Sequence, residues 1–263
     1  MTANGSPSTI LVEIQTGIAF ITLNRPEKMN SISKALATEL LQALSDCKDP
    51  AIRCVCITGS GNAFCAGQDL AEGLNPGAKG MDRLLAELYN PIVKAINDLE
   101  KPVIAAVNGA AAGAGANLAF CCDLVIAADS AYFLQAFTKI GLIPDTGGTF
   151  FLPRIVGLQK ALSLTLLAEK LAATEASKLG IVYKVVPHDE LATAAAALAT
   201  HLATLPTKAL WLTKQALRLS FDNDLDQQLA LEDMLQKQAL ASADAKEGVK
   251  AFMEKRKPAF TGQ

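Results

Sequence analysis

Three glycine-rich loops contain the residues of this chain whose types and spacing could do chemistry. Their sequences are GSGNAFCAGQDL (59–70), NGAAAGAGAN (108–117) and GLIPDTGGT (141–149). Glycines let a backbone turn sharply and bring its N–H groups close to a ligand. The second loop runs into a predicted helix, whose N-terminal N–H groups can stabilise a developing negative charge. The third loop places one carboxylate, Asp145, among apolar residues.

Each loop taken alone also fits a simpler role. A glycine loop after a strand is common as a plain turn, and Asp145 could cap a helix over 147–152. The second loop lacks the G-x-G-x-x-G spacing of dinucleotide sites. Cys65 could be a nucleophile, but the chain has only His188 and His201, and neither is near it in sequence. We expect Cys65 to be a small buried residue.

The segments around these loops predict an α/β fold. Short β-branched runs predict strands over 10–14, 18–23, 53–58, 103–107 and 124–127, and helical spacing predicts a helix over 81–98. Strands that alternate with helices imply right-handed crossovers and a mostly parallel, buried sheet. Ligands gather at the carboxyl ends of the strands of such a sheet, where these loops lie.

The second half of the chain is predominantly helical, with helices predicted at about 189–203, 207–220, 225–240 and 244–255. We therefore predict a flexible N-terminus (1–9), an α/β core (10–200) and a helical C-terminal region (201–263). Several amphipathic helices must bury their apolar stripes, so we expect the C-terminal region to pack on a neighbouring subunit.

The composition excludes several classes of protein. The 263 residues include 24 Lys+Arg and 26 Asp+Glu, which argues against nucleic acid as a partner because phosphate binding needs a basic face. Two histidines and unsuitable cysteine spacing predict no metal site. The polar start lacks a secretory signal, so we expect a cytoplasmic protein with reduced thiols.

Residues 103–122 carry no charge and have the length of a membrane span. Only five of these twenty residues are Val, Ile, Leu or Phe, and Asn108 and Asn117 interrupt the stretch. We therefore expect a buried segment of the α/β core and no membrane partner.

The loops and their flanking sequences, taken together and in order, resemble the crotonase superfamily of enoyl-CoA hydratases and isomerases. The matching segments are ITLNRPEKMNSIS (21–33), CVCITGSGNAFCAGQDL (54–70), KPVIAAVNGAAAGAGANLAFCCDLVIAADSAYF (101–133), GLIPDTGGTFFLPRIVG (141–157) and EGVKAFMEKRKPAF (247–260). The resemblance covers nearly the whole chain after residue 9. It implies a ββα spiral core with a helical C-terminal extension, assembled as a homotrimer or a dimer of trimers.

The same resemblance implies an acyl-CoA thioester substrate, no separate cofactor, and an oxyanion hole made by the backbone N–H groups of Ala66 and Ala114. Similar hydratases carry two glutamates, at positions that read Asn117 and Phe137 here. Hydration is therefore disfavoured, and the remaining carboxylate, Asp145, is implied to be the general acid and base of an isomerase. Asn117 would position the substrate or Asp145, or would be a surface amide.

Within the superfamily the chain is most similar to isomerases of phenylacetate degradation, which convert ring-1,2-epoxyphenylacetyl-CoA to oxepin-CoA. The segments YNP (89–91) and AFTKIGLIPDTGG (136–148) support this similarity. The alternatives are a Δ3,Δ2-enoyl-CoA isomerase acting on aliphatic chains, and a non-catalytic acyl-CoA-binding or RNA-binding member. The positions implied to bind CoA are Lys28, Ala66, Gln68, Asp69, Leu70 and Lys257.

Overall fold

The computed structural model describes residues 8–73 and 81–263. Strands lie at Ile10–Gln15 (β1), Ile18–Leu23 (β2), Cys54–Gly59 (β3), Ala63–Cys65 (β4), Val103–Val107 (β5), Ala110–Ala112 (β6), Leu124–Ala128 (β7), Tyr132–Leu134 (β8), Leu171–Ala172 (β9) and Lys184–Val186 (β10). Helices lie at Lys34–Asp46 (α1), Leu70–Gly73 (α2), Met81–Leu84 (α3), Asn90–Asn97 (α4), Ala114–Phe120 (α5), Gly148–Val156 (α6), Leu158–Leu167 (α7), Ala173–Lys178 (α8), Leu191–Ala203 (α9), Thr207–Leu219 (α10), Leu225–Leu240 (α11) and Ala243–Met253 (α12).

The larger sheet has the strand order β1-β2-β3-β5-β7-β10. β1 and β2 form an antiparallel hairpin, in which Ile10 lies opposite Leu23, and the pairs from β2 through β10 are parallel. Every residue of β5 is buried. Such continuous burial is typical of a central parallel strand that is covered on both faces.

The smaller sheet has the strand order β4-β6-β8-β9. β4, β6 and β8 each come directly after a strand of the larger sheet, and a helical segment follows each of them along the chain. This repeated strand–strand–helix unit is the predicted ββα spiral, so the α/β fold class is confirmed. The predicted helix over 81–98 consists of α3, one wider π-helical turn at Leu85–Tyr89, and α4.

α1 begins directly after a capping serine. The side chain of Ser33 accepts a hydrogen bond from the N–H of Leu36 and thereby caps the helix. The carboxylate of Glu39 accepts hydrogen bonds from the hydroxyls of Ser8 and Thr9. Of the N-terminal segment predicted to be flexible, residues 1–7 lie outside the described residues, and residues 8 and 9 are bound to α1.

The uncharged stretch 103–122 forms β5, β6 and α5 inside the core, and all seven residues of α5 are buried. Among the residues that the structure describes, no helix has the length and apolar character that crossing a membrane requires.

α9 packs on β3, β5 and β7 of the larger sheet, and its buried residues are Leu191, Ala195 and Ala199. The boundary predicted between the core and the C-terminal region, at residue 200, therefore falls inside a helix of the core. α10 and α11 pack on each other, and α12 packs on α11.

α10 is fixed to the core by Asp123, which lies just before β7. The Asp123 carboxylate is 2.7 Å from Nζ of Lys214 and 2.9 Å from the guanidinium of Arg218, and it also accepts the Val103 N–H at 2.8 Å. These side chains are largely shielded from water. Burial lowers the pKa of Lys214, and the Asp123 carboxylate opposes that shift.

Replacement of Asp123 should therefore destabilise the fold. Asp123→Ala leaves two partly buried cations without their shared anion, so we expect the free energy of unfolding in urea to fall by about 3 kcal/mol. Asp233→Ala is the matched control, because it breaks an exposed Asp233–Lys237 pair on α11 and should change stability by less than ~0.5 kcal/mol. Equal effects of the two substitutions would contradict this role of Asp123.

Candidate active site

The first two loops meet backbone to backbone. A Cβ atom built on Gly115 would lie 2.1 Å from the carbonyl oxygen of Cys65, and one built on Gly67 would lie 2.8 Å from the carbonyl oxygen of Ala112. The Gly67 backbone also has a positive φ of 96°, which residues other than glycine rarely adopt. Glycine at both positions therefore lets the end of β4 approach the start of α5.

Ala114 is the first residue of α5, and its N–H therefore has no partner within the helix. No acceptor for this N–H occurs among the described residues. The preceding Gly113 has a φ of 52° and no side chain to cap the helix. The predicted donor at Ala114 is thus present with its hydrogen unbound.

The other predicted donor, Ala66, requires a correction. Its N–H already donates to the carbonyl oxygen of Met29 at 3.0 Å, so it is not available to a ligand. The N–H of Gln68, two residues later, has no acceptor in the described part of the chain. A Cβ on the intervening Gly67 would lie 3.5 Å from the Ala114 nitrogen, so the residue bonded to Gln68 packs directly against Ala114.

The orientation of Gln68 follows from its pairing with Ile32, which lies just before α1. The Ile32 N–H donates to the Gly67 carbonyl at 2.7 Å, and the Ile32 carbonyl accepts the Asp69 N–H at 3.0 Å. In a parallel bridge these bonds flank the paired residue, whose own N–H points to the opposite side. Tyr89, in the π-helical turn, is buried and donates its hydroxyl to the same Ile32 carbonyl at 3.2 Å.

Asp69 was predicted to bind CoA, and in the structure its side chain is engaged with the protein. One carboxylate oxygen lies 2.9 Å from the guanidinium of Arg25, and both side chains are mostly shielded from water. Burial raises the pKa of Asp69, but the Arg25 hydrogen bond and charge bring it below its usual value. The pair fixes the end of the first loop, and the contact of Asp69 with CoA stays a prediction.

Buried asparagines brace the first loop. Asn30 donates from its amide to the carbonyl oxygens of Ser60 and Ala63, and Asn108 donates to that of Gly61. Asn30 also has a φ of 56° in the left-handed region, which asparagine tolerates better than most residues. No role was predicted for Asn30, although asparagine is among the residues that favour turns.

Asp145 lies on the third loop and does not cap a helix. α6 begins after Gly147, without a side-chain cap, and only the backbone carbonyl of Asp145 accepts the Gly148 N–H. The Asp145 carboxylate is half-buried and accepts the Thr146 hydroxyl at 2.8 Å. Burial raises the pKa of Asp145 above its usual value, and the Thr146 hydrogen bond opposes that shift.

Asn117 connects α5 to the Asp145 loop. It is fully buried, so it is not a surface amide. Its Nδ2 donates to the backbone carbonyl of Asp145 at 2.8 Å, and its Oδ1 accepts from Nε2 of Gln135, also at 2.8 Å. Gln135 is a residue that the sequence analysis missed. Phe137 is buried too, and its ring lies 3.8 Å from a Cβ built on Gly113.

The remaining predicted site residues are more dispersed. Lys28 is exposed and directly precedes Met29, the residue that accepts the Ala66 N–H, while Leu70 is the first residue of α2 and is 38% exposed. Lys257 is exposed beyond α12, in a segment that bonds back to Glu247 of that helix. Within the described residues no hydrogen bond joins this segment to the three loops. Burial raises the pKa of the Cys65 thiol to about 12, so it is protonated at neutral pH and unsuited to be a nucleophile.

The arrangement is therefore a pair of neighbouring backbone donors beside a loop that carries one half-buried carboxylate. Preorganised N–H groups of this kind stabilise the oxyanion that forms when an ester or thioester is enolised. The sequence profile of the enoyl-CoA hydratase/isomerase family matches residues 13–263. The chain belongs to this family of acyl-CoA hydratases and isomerases.

Individual relatives carry both kinds of name. A Rhodobacter capsulatus protein called "Probable enoyl-CoA hydratase" is 49% identical over 97% of this chain and 98% of its own length. The 1,2-epoxyphenylacetyl-CoA isomerase of Escherichia coli is 47% identical over the same shares of the two chains. The crystal structure of an enoyl-CoA hydratase from Bacillus anthracis superposes with a TM-score of 0.92 at 34% identity, over 97% of this chain and all of that one.

Substitution of Gly115 should damage the site through the backbone contact. In Gly115→Ala the new methyl group collides with the Cys65 carbonyl, so the two loops must separate. We expect acyl-CoA turnover to fall about 100-fold or more, because oxyanion donors act only over a narrow range of positions.

Gly248→Ala is the matched control for this substitution. Gly248 lies in α12, where a new Cβ would meet the Phe260 ring at 3.4 Å, an ordinary contact. We expect unchanged turnover and a free energy of unfolding raised by up to about 1 kcal/mol. If the Gly115→Ala enzyme keeps its turnover, the backbone contact does not fix the positions of the donors in the site.

Proposed function

We propose that this protein is an acyl-CoA isomerase that converts ring-1,2-epoxyphenylacetyl-CoA to oxepin-CoA. One observation carries the proposal: Asp145 is the carboxylate of the third loop, while the positions of the two hydratase glutamates hold a buried amide, Asn117, and a buried ring, Phe137. Addition of water needs groups that activate the water and deliver a proton. Movement of a proton within one molecule needs a single group that accepts and then returns it.

The backbone donors would hold the thioester. Its carbonyl oxygen would accept the N–H groups of Gln68 and Ala114, which have no other acceptor among the described residues. Negative charge grows on that oxygen when the adjacent carbon loses a proton, so the donors favour the enolate over the bound substrate. Removal of one such donor typically costs ~3 kcal/mol of transition-state stabilisation.

Asp145 would carry the proton. Its carboxylate takes a proton from the carbon beside the thioester, and the ring C–C bond of the epoxide opens to give the seven-membered ring. The carboxylic acid then returns the proton to a ring carbon, so that no atom is gained or lost overall. A raised pKa suits both steps, because the acid and base forms become closer in free energy at neutral pH.

The 47% identity to the 1,2-epoxyphenylacetyl-CoA isomerase supports the aromatic substrate. A Δ3,Δ2-enoyl-CoA isomerase on aliphatic chains is the second candidate, because Asp145 could equally move a proton from C2 to C4 of a 3-enoyl thioester. The non-catalytic and RNA-binding alternatives are disfavoured by the half-buried carboxylate beside unbound backbone donors.

Assembly is part of the proposal. Large apolar side chains are exposed on the C-terminal helices, including Leu225 at 72%, Phe252 at 85% and Met253 at 78%. Large apolar side chains that are exposed together on one region mark contact surfaces. We propose that these side chains pack against neighbouring subunits of a homotrimer or a dimer of trimers. Lys257, which follows these helices, would then reach the CoA of a neighbouring subunit.

A substrate panel tests the reaction. Purified protein is incubated separately with ring-1,2-epoxyphenylacetyl-CoA, a 3-enoyl-CoA and a 2-enoyl-CoA, and the products are followed by mass and absorbance. We expect the highest kcat/KM on the epoxide and negligible gain of 18 mass units from the 2-enoyl thioester, because no carboxylate pair activates water. Preferred turnover of the 3-enoyl thioester would favour the second candidate, and efficient hydration would overturn both.

Asp145→Asn tests the role of the carboxylate. We expect kcat to fall by at least about 10³-fold with KM nearly unchanged, since proton transfer is lost while the backbone donors remain. Folding raises the pKa of Asp145, so the folded state loses stability as pH rises from the unfolded-state pKa through the folded-state pKa.

The amide has no such cost, and Asp145→Asn should unfold at the same or a higher urea concentration than the wild type at pH 7. The exposed Asp129→Asn is the control and should change neither turnover nor stability. Retained turnover in Asp145→Asn would exclude the carboxylate as the catalyst.

A further inference from the structure

Thr146 directly follows the proposed catalytic carboxylate and has an unfavourable backbone conformation. Its φ is 50°, in the left-handed region that β-branched residues rarely adopt, and the next residue, Gly147, also has a positive φ of 76°. The Thr146 side chain is 3% exposed. A buried residue that is held in a costly conformation is maintained by the structure around it, and such positions are frequent at functional sites.

The hydroxyl of Thr146 donates to Oδ1 of Asp145 at 2.8 Å. The backbone of Asp145 is fixed independently, because its carbonyl accepts from Asn117 Nδ2 and from the Gly148 N–H, each at 2.8 Å. No hydrogen bond from another described residue reaches the other carboxylate oxygen, Oδ2, and the further donor near the carboxylate is the backbone N–H of Asp145 itself. The two oxygens of the carboxylate therefore have different environments.

We propose that Thr146 is a positioning residue that occupies Oδ1 of Asp145 and leaves Oδ2 as the oxygen that accepts and returns the proton. This inference rests on the proposed isomerase function. A carboxylate with one bound oxygen cannot rotate freely, so the proton taken from the first carbon is held at one place while the substrate rearranges. The left-handed backbone at residue 146 turns the hydroxyl back onto the preceding side chain.

The hydrogen bond from Thr146 to Asp145 should also affect how kcat/KM depends on pH. Tyr89, from the π-helical turn, is a titratable group on which the Asp145 charge acts, and its hydroxyl is already bound to Ile32. Burial raises the pKa of Tyr89, so it stays neutral. A hydroxyl that donates to a carboxylate favours the ionised form and lowers its pKa. Without the hydroxyl, only the backbone N–H of Asp145 opposes the effect of burial, and the pKa of Asp145 should rise.

Three variants separate the hydroxyl from the backbone. Thr146→Val keeps the shape and the branched Cβ but lacks the hydroxyl. Thr146→Ser keeps the hydroxyl, and Thr146→Gly lacks it while relieving the left-handed conformation. Thr146→Gly thus decides the question if Thr146→Val does not fold.

The measurement is kcat/KM against pH with the substrate that the wild type turns over. In Thr146→Val and Thr146→Gly the acidic limb should move up by about one pH unit, and kcat should fall roughly tenfold with KM unchanged. Thr146→Ser should retain the wild-type limb. An unmoved limb in the folded valine or glycine variant, or a serine variant that behaves like valine, would overturn the proposal.

Failure of the underlying function gives a different result. If Asp145→Asn retains turnover, Asp145 is not the proton carrier and the role of Thr146 fails with it. If Asp145→Asn is inactive while the hydroxyl-free variants keep the wild-type pH profile, the isomerase mechanism stands and only the role of Thr146 is wrong.

Discussion

The contact between the end of β4 and the first turn of α5 is the constraint on which the rest of the site depends. Peptide groups can approach this closely only where no Cβ lies between them, and Gly115 and Gly67 provide those places. The contact brings a helix N-terminus beside a strand end, so that backbone donors from separate parts of the chain become neighbours. The residues at 109–116 are therefore small because the backbones at the site must pack closely together.

The polar groups around Asp145 complement this backbone contact. A glutamate at position 117 would place a second carboxylate near Asp145, and repulsion between like charges would raise the pKa of at least one of them. The Asn117 amide instead donates to the Asp145 backbone and accepts from Gln135 without adding charge. The carboxylate therefore responds mainly to its burial and to Thr146.

Much of the fold could be predicted because its longer elements have clear periodicity. β1, β2, β3, β5, β7 and the long C-terminal helices lie within a few residues of their predicted positions. β4, β6 and β8 were not predicted individually, because three residues are too few to show a period of two. The family resemblance implied a donor at Ala66, whereas the unbound N–H belongs to Gln68. That difference depends on Ile32 and Met29, more than 30 residues earlier, and pairing across such a distance leaves no local signal. The Gln135–Asn117 bond was missed for the same reason.

The burial of the cysteines has a chemical consequence for an enzyme of the proposed kind. All six thiols are buried and unpaired, and burial raises the pKa of Cys65 and Cys56 to about 12. Epoxides alkylate thiolates readily but neutral thiols slowly, since the thiolate is the nucleophilic form. Cys65 lies in the very loop that carries the proposed thioester donor. If the proposed epoxide is the substrate, this burial keeps a soft nucleophile protonated in a loop of the proposed site, and would protect the enzyme from inactivation by the compound it transforms.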